Sequence, residues 1–268
     1  MCETAEWGPA VRVIVVPTAT WAHNAFDLAA WAAGAAVGYS LYRWRLKGAT
    51  LQVAGRVGPG YFVSLAVGAI AGGWLAGSAN TLQDTTPALS HSVAGALAGA
   101  IVGVEVYKLV RGIRGSTGTI FVGSFTTGVI VGRLGCFFTG LPDRTYGTPT
   151  TLPWAVDLGD HIGRHPVQLY ESVSMALFLA AYLLGLARRA PWALRRGFYA
   201  MTMAYGAQRF CWEFLKPYPK LVGPLNLFHV LTLGLVIYGW IWWARSRADE
   251  RRQEGVALSV LRPDHEPV

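Results

Sequence analysis

The chain has 268 residues, of which 53% are hydrophobic and 14% charged, with a net charge of +8 and a mean hydropathy of +0.35. A soluble domain carries about 25% charged residues, so the composition excludes an ordinary soluble fold. The positive balance does not mark a nucleic-acid surface either, because most of the basic residues cluster in alternate connections between apolar runs.

In chain order, the apolar runs predict seven membrane helices near 24–42, 61–79, 90–109, 119–138, 166–187, 197–215 and 225–244. Val57–Gln83 and Leu221–Ala244 hold no Asp, Glu, Lys or Arg, and each exceeds the about 20 apolar residues that cross a bilayer core. The expectation is one all-α polytopic membrane domain over 1–268. Met1–Thr20 has no basic start followed by an apolar core, so no cleavable signal peptide is expected. Cys2 has no apolar run before it and is not read as a lipidation site. Cys2, Cys136 and Cys211 have no metal or redox spacing, and neither a metal nor a cofactor is expected.

Arg43, Arg45, Lys47 and Arg56 follow the first run, and Lys108, Arg111 and Arg114 the third. Arg188, Arg189, Arg195 and Arg196 follow the fifth, and Arg245, Arg247, Arg251 and Arg252 the last. The alternate connections hold few basic residues, and Asn80–Ser90 holds none. Cytoplasmic loops carry the excess of Lys and Arg. The N-terminus is therefore expected outside and the C-terminus in the cytoplasm. The connection 139–165 becomes a long polar loop on the outer side, with Trp154 suited to the headgroup layer. The tail 249–268 is expected to be solvated and poorly ordered.

The second to fourth helices carry glycines at spacing four, at Gly68/Gly72, Gly73/Gly77, Gly95/Gly99/Gly103 and Gly128/Gly132. Such spacing lets helix backbones approach closely in lipid.

Charge inside an apolar segment costs about 2.5–3.5 kcal/mol on insertion scales, so it points to function. Three blocks qualify. Gly132–Gly140 places Arg133, a fixed planar cation suited to a phosphodiester, among glycines that allow close backbone approach to a ligand. Arg164-His165-Pro166-Val167-Gln168-Leu169-Tyr170-Glu171 opens the fifth helix with a cation, an imidazole and acceptors within one turn. Tyr205, Arg209 and Glu213 recur every four residues and share a face of the sixth helix, with Lys216 just beyond. His91, expected to open the third helix, is a weaker candidate. His23 and Asp27 read equally as a polar cap or as part of a site. Cys211, between Phe210 and Trp212, is expected to be buried and inert. All three blocks fall at the outer membrane face, so Arg133, Arg164, Arg209 and Lys216 are expected around one cavity, with Glu171 and Glu213 as partners.

At these residues the chain resembles the bacterial prolipoprotein diacylglyceryl transferases. GRLGCFFTG is similar to their block GRxGNFxNGE, RHPVQLYES to RHPxQLYE, and YGAQRFCWEFLK to YGxxRFxxEFxR. Cys136 stands for the family Asn and Leu141 for the family Glu. The family His falls either on His91 with an offset or on Val93, and the glycine pattern favours Val93. The resemblance implies a multi-pass bacterial inner-membrane enzyme. Such an enzyme moves a diacylglyceryl group from phosphatidylglycerol to the lipobox cysteine of a prolipoprotein. Arg133 and Arg209 would hold the phosphate, Glu213 would orient Arg209, and His165 or His91 would take the thiol proton. Arg164, Gln168, Tyr170, Glu171 and Tyr205 would line the substrate site, and the reacting thiol would come from the acceptor. Two other readings suit the same pocket: an enzyme passing an anionic lipid group to another acceptor, and a lipid-binding protein without catalysis.

Overall fold

The computed structural model describes residues 13–82 and 89–261, with side chains as far as Arg252. The expectations for Cys2 and the first twelve residues lie outside the described residues. A helix occupies each of the seven predicted positions. The long helices are α1 Trp21–Leu41, α3 Pro59–Thr81, α4 Val93–Arg111, α5 Val122–Thr139, α6 Val167–Ala187, α8 Gly197–Glu213 and α9 Leu227–Leu261. Two short helices, α2 Lys47–Ala54 and α7 Pro191–Arg195, lie between them. A π-helical turn at Tyr42–Leu46 extends α1, and a 3-10 turn at Thr119–Phe121 leads into α5.

Among the described residues, five segments are long and apolar enough to cross a membrane: Pro59–Thr81, Val93–Arg111, Thr119–Thr139, Val167–Ala187 and Leu227–Arg252. Their surfaces are apolar as well. Ile70, Leu109, Val110 and Trp240 are each more than 60% exposed, and only 11% of the most apolar stretch of α3 is buried. Water would penalise such surfaces. Lipid does not, and a helix satisfies its own backbone hydrogen bonds there. The protein is an integral membrane protein.

α3 packs on α4, α1 on α5, α8 on α9, and α6 lies between α5 and α8. The α3–α4 contact follows from glycine. A Cβ on Gly68 or Gly72 would overlap the backbone of Gly99 or Gly95, and the converse also holds. Gly128 and Gly132 differ from the expectation, because a Cβ on either would meet no atom within 4 Å. They face an open cavity rather than a neighbouring helix.

Two further expectations are corrected. α4 starts at Val93, because the Ser92 hydroxyl accepts a hydrogen bond from the Gly95 amide (3.3 Å) and caps it. His91 therefore precedes the helix. Cys211 is exposed, since it lies off the Tyr205–Arg209–Glu213 face by which α8 packs inward. α9 runs on to Leu261, and 262–268 lie outside the described residues.

The long connection 139–165 folds into a cap. Val156–Asp157 pairs in parallel with Ile14–Val15, and Arg164 bridges back to Val156. The Thr148 amide donates to Leu215 O (2.7 Å) at the end of α8. Val16, Phe137, Val156 and Leu158 form a small core beneath the cap. The cap thus ties the end of α5, the start of α6 and the end of α8 to one another. At the other end of the bundle, Arg56 donates to Arg114 O, and Arg196 pairs with Glu250 (3.5 Å).

Candidate active site

Beneath the cap lies a cavity of about 1390 Å³. Its lining includes Arg133, Cys136, Arg209, Tyr218, His23 and His91. Gly128 and Gly132 supply bare backbone on the α5 side. Of the three glycines in the Arg133 block, only Gly132 opens to this space. Gly135 lies against Phe26 of α1, and Gly140 adopts φ +74° beside Thr18. Those two glycines serve packing and the turn into the cap, not ligand approach.

Behind the arginines sits a buried charge network centred on Glu171 of α6, which is fully buried. Arg133 Nε contacts Glu171 Oε2. Arg209 Nη1 lies 2.5 Å and Lys216 Nζ 2.7 Å from Glu171 Oε1. Arg209 also pairs through Nε with Glu213 Oε2 at 3.0 Å, and its guanidinium lies over the Phe228 ring. Asn226 Nδ2 donates to Glu213 Oε1 (3.0 Å), while Asn226 Oδ1 accepts from the His229 amide (3.1 Å) at the start of α9. Tyr205 is buried beside Arg133, edge-on to Phe125. The Gln168 amide is buried one turn before Glu171 and has no hydrogen-bond partner among the described groups.

Arg133, Arg209 and Lys216 bring three positive charges, and Glu171 and Glu213 bring two negative ones. One positive charge is left over in a place shielded from water. Because both arginines also line the cavity, the surplus is available to an anion there. Burial and the neighbouring Arg209 pull the Lys216 ammonium down to about 8, against the opposing pull of Glu171 and Glu213.

The second sequence block divides. Gln168 and Glu171 turn into the network, whereas Arg164 and His165 belong to the cap, Tyr170 on α6 faces it through Trp154, and none of these three lines the cavity. Arg164 Nη2 is 2.5 Å from Asp160, and its guanidinium lies over the Tyr146 ring. The expected meeting of Arg164 with Arg133 and Arg209 around one cavity does not occur, because the β-bridge of Arg164 to Val156 holds it in the cap. His165 Nδ1 lies 3.4 Å from the Tyr170 hydroxyl, which accepts a hydrogen bond from Trp154 Nε1 (2.6 Å). Burial lowers the His165 imidazole below its ordinary value.

His91 lies on the cavity, its ring 6.4 Å from that of His23 and 5.8 Å from Trp74. His23 Nδ1 is 2.9 Å from Asp143 Oδ1, and His23 Nε2 is 3.4 Å from Asp27 Oδ2. Burial alone would push the Asp143 carboxyl up. Hydrogen bonds from His23 and Thr145, with the charge of Arg133, outweigh it and hold the group below the usual carboxylate range.

Sequence reasoning missed Asp143, Asn226 and His229. Asp143 carried no signal, since it lies in a polar loop rather than on a helix face. Asn226 and His229 sit three apart at the head of the last apolar run, which is an N-cap spacing that was available to find them.

Residues 29–245 match the profile of the prolipoprotein diacylglyceryl transferase family. Similar proteins named phosphatidylglycerol–prolipoprotein diacylglyceryl transferase occur in several bacteria. The Methylococcus capsulatus protein is 31% identical over 164 residues, covering 58% of this chain and 60% of that protein. The Cupriavidus metallidurans protein is 30% identical over 167 residues, covering 58% and 60%. The Bordetella parapertussis protein is 32% identical over 151 residues, covering 53% and 54%. The chain thus spans less than two thirds of the length of these relatives. No solved structure matches it.

Proposed function

Because the chain belongs to the prolipoprotein diacylglyceryl transferase family, we propose that it transfers a diacylglyceryl group from phosphatidylglycerol to the cysteine thiol of a prolipoprotein. The observation that carries this reading is the pair of buried guanidiniums, Arg133 and Arg209, which share Glu171 and line one cavity with a positive charge to spare. The phosphodiester of an anionic lipid is the complement of that charge.

In the proposed reaction the acceptor sulfur attacks the glyceryl carbon that carries the phosphate. A C–S bond forms and the C–O bond breaks. Glycerol phosphate leaves with the bonding electrons, and the thiol proton passes to a base. Arg133 and Arg209 stabilise the charge that grows on the departing phosphate, because fixed donors in a dry site need no reorganisation. Glu171 and Glu213 hold the two guanidiniums in place. His91 and His23, on the cavity, are better sited for the proton than His165 in the cap. A second, apolar cavity of about 260 Å³ shares Leu65, Ser124 and Phe125 with the first, which supports a path for an acyl chain.

The proposal includes seven spans, with α1 and α8 crossing beside the five most apolar segments. The cap faces outward in the bacterial inner membrane, and the C-terminus lies in the cytoplasm. The basic connections at the end away from the cap support this orientation. The test is release of labelled glycerol phosphate from phosphatidylglycerol by the purified full chain in detergent. Release that depends on a lipobox cysteine peptide fits transfer, and thiol-independent release or none at all contradicts it.

A further inference from the structure

The geometry points to a binding site for a thiophilic divalent cation of the zinc class, formed by His23, Cys136 and Asp143 at the wall of the large cavity. The three residues come from α1, from α5 and from the 3-10 turn Leu141–Asp143 that follows α5. Their donor atoms all lie within 4.8 Å of one another. One imidazole, one thiolate and one carboxylate form a donor set that zinc accepts at about 2.0–2.3 Å from each. Ligands of a tetrahedral cation at those distances stand about 3.3–3.7 Å apart, so binding would part His23 Nδ1 from Asp143 Oδ1, now 2.9 Å away, by a few tenths of an ångström.

The surroundings match those of a metal site. A ligating histidine usually donates its other ring N–H to a carboxylate, which fixes its tautomer and raises its basicity. Here His23 Nδ1 faces Asp143 (2.9 Å), and His23 Nε2 faces Asp27 Oδ2 (3.4 Å). With Nδ1 on the cation, Nε2–H donates to Asp27. Thr145 donates to the Asp143 carboxylate, and Arg133 Nη1 lies 3.8 Å from Cys136 Sγ as a donor to a bound thiolate. Each of the three donors thus has a neighbour that orients it.

Charge also balances. Metal ligands bind deprotonated, a cysteine as thiolate and a histidine as neutral imidazole. A divalent cation then meets one thiolate and one carboxylate, so nothing is added to the positive surplus around Arg133. All three donors line the cavity, which leaves the fourth coordination position open to a water or a substrate oxygen. Such open three-ligand sites are of the catalytic type. Of the groups assigned to lipid transfer the cation site uses only His23, and Arg133, Arg209, Glu171 and Glu213 are not among its ligands, so cation binding is read out independently of transfer.

The test uses the purified full chain in detergent, freed of metal by chelator and titrated with Co²⁺ and then Zn²⁺. The expected result is one Co²⁺ per chain, a thiolate-to-cobalt charge-transfer band in the near ultraviolet, and loss of that band when Zn²⁺ is added. Cys136→Ser should abolish the band, and Cys211→Ser should keep it. If Cys136→Ser does not fold, alkylation of the unaltered chain decides instead: Zn²⁺ should protect Cys136 and leave Cys211 reactive in peptide mapping. A chain that binds no cobalt, a band that survives Cys136→Ser, or equal alkylation of Cys136 with and without Zn²⁺ would overturn the site.

Discussion

Arg209 on α8 reaches Glu171 on α6, with Nη1 2.5 Å from Oε1, although the two residues lie 38 positions apart in sequence. Glu171 is thereby the common partner of every cation in the buried network.

Glu171→Ala should be the most destabilising single change in the network. It leaves Arg133, Arg209 and Lys216 buried with Glu213 alone, and removing one partner of a buried pair costs about 3–5 kcal/mol. Thermal unfolding in detergent should show a large drop in midpoint relative to the unaltered chain. A midpoint within error of the unaltered chain would mean that Glu171 does not hold the arginines.

Arg209→Ala should remove transfer more completely than His91→Ala. Loss of a fixed donor to a developing charge lowers turnover by about 10²–10³-fold. His91 lies on the cavity but outside the charge network, and a thiol beside cations can ionise without a dedicated base. Initial rates should be compared at matched membrane levels of folded protein. An inactive His91→Ala with a largely active Arg209→Ala would reverse the assignment of phosphate stabilisation to the arginines.

Gly132→Leu should fold and fail to bind phosphatidylglycerol, whereas Gly99→Leu should not fold. A side chain at Gly132 enters the open cavity, and one at Gly99 strikes the Gly68 backbone. Gel-filtration profile and lipid binding together separate the two. Normal lipid binding by Gly132→Leu would place the headgroup elsewhere.

The long helices were legible in the sequence because each is an apolar run with basic residues at one end. So were Arg133, Glu171, Tyr205, Arg209 and Glu213 as members of polar blocks, because a charge within an apolar run is costly unless a site or a buried partner holds it. The division of the second block was not legible. Arg164 and His165 are neighbours of Gln168 and Glu171 in sequence, but the pairing of 156–157 with 14–15 draws them into the cap. That pairing joins segments far apart and carries no local signal. The glycines misled for a related reason. Spacing four is the same for Gly95/Gly99 and Gly128/Gly132, and only the position of a neighbouring helix separates a packing face from a cavity wall.

Activity should fall above about pH 8 as Lys216 loses its proton and its contact with Glu171. The sign for stability is opposite. Folding lowers this group below its ordinary 10.5, so the unfolded chain binds more protons between about 8 and 10.5, and the contribution of Lys216 to stability rises with pH there. Lys216→Arg keeps the charge and should remove the alkaline limb from the rate profile. An unchanged limb in that variant would assign it to another group.

Reporter fusions within 145–160 should read outside and fusions after Arg189 cytoplasmic, since the basic connections lie at the end away from the cap. The opposite pattern would overturn the proposed topology and move the cavity to the other face.

The most direct measurement is mass spectrometry of a synthetic lipobox peptide after incubation with the purified full chain and phosphatidylglycerol. Transfer predicts a diacylglyceryl group in thioether linkage on the peptide cysteine, absent with Arg209→Ala. An unmodified peptide, from a chain that is folded and binds the lipid, would contradict the proposed reaction.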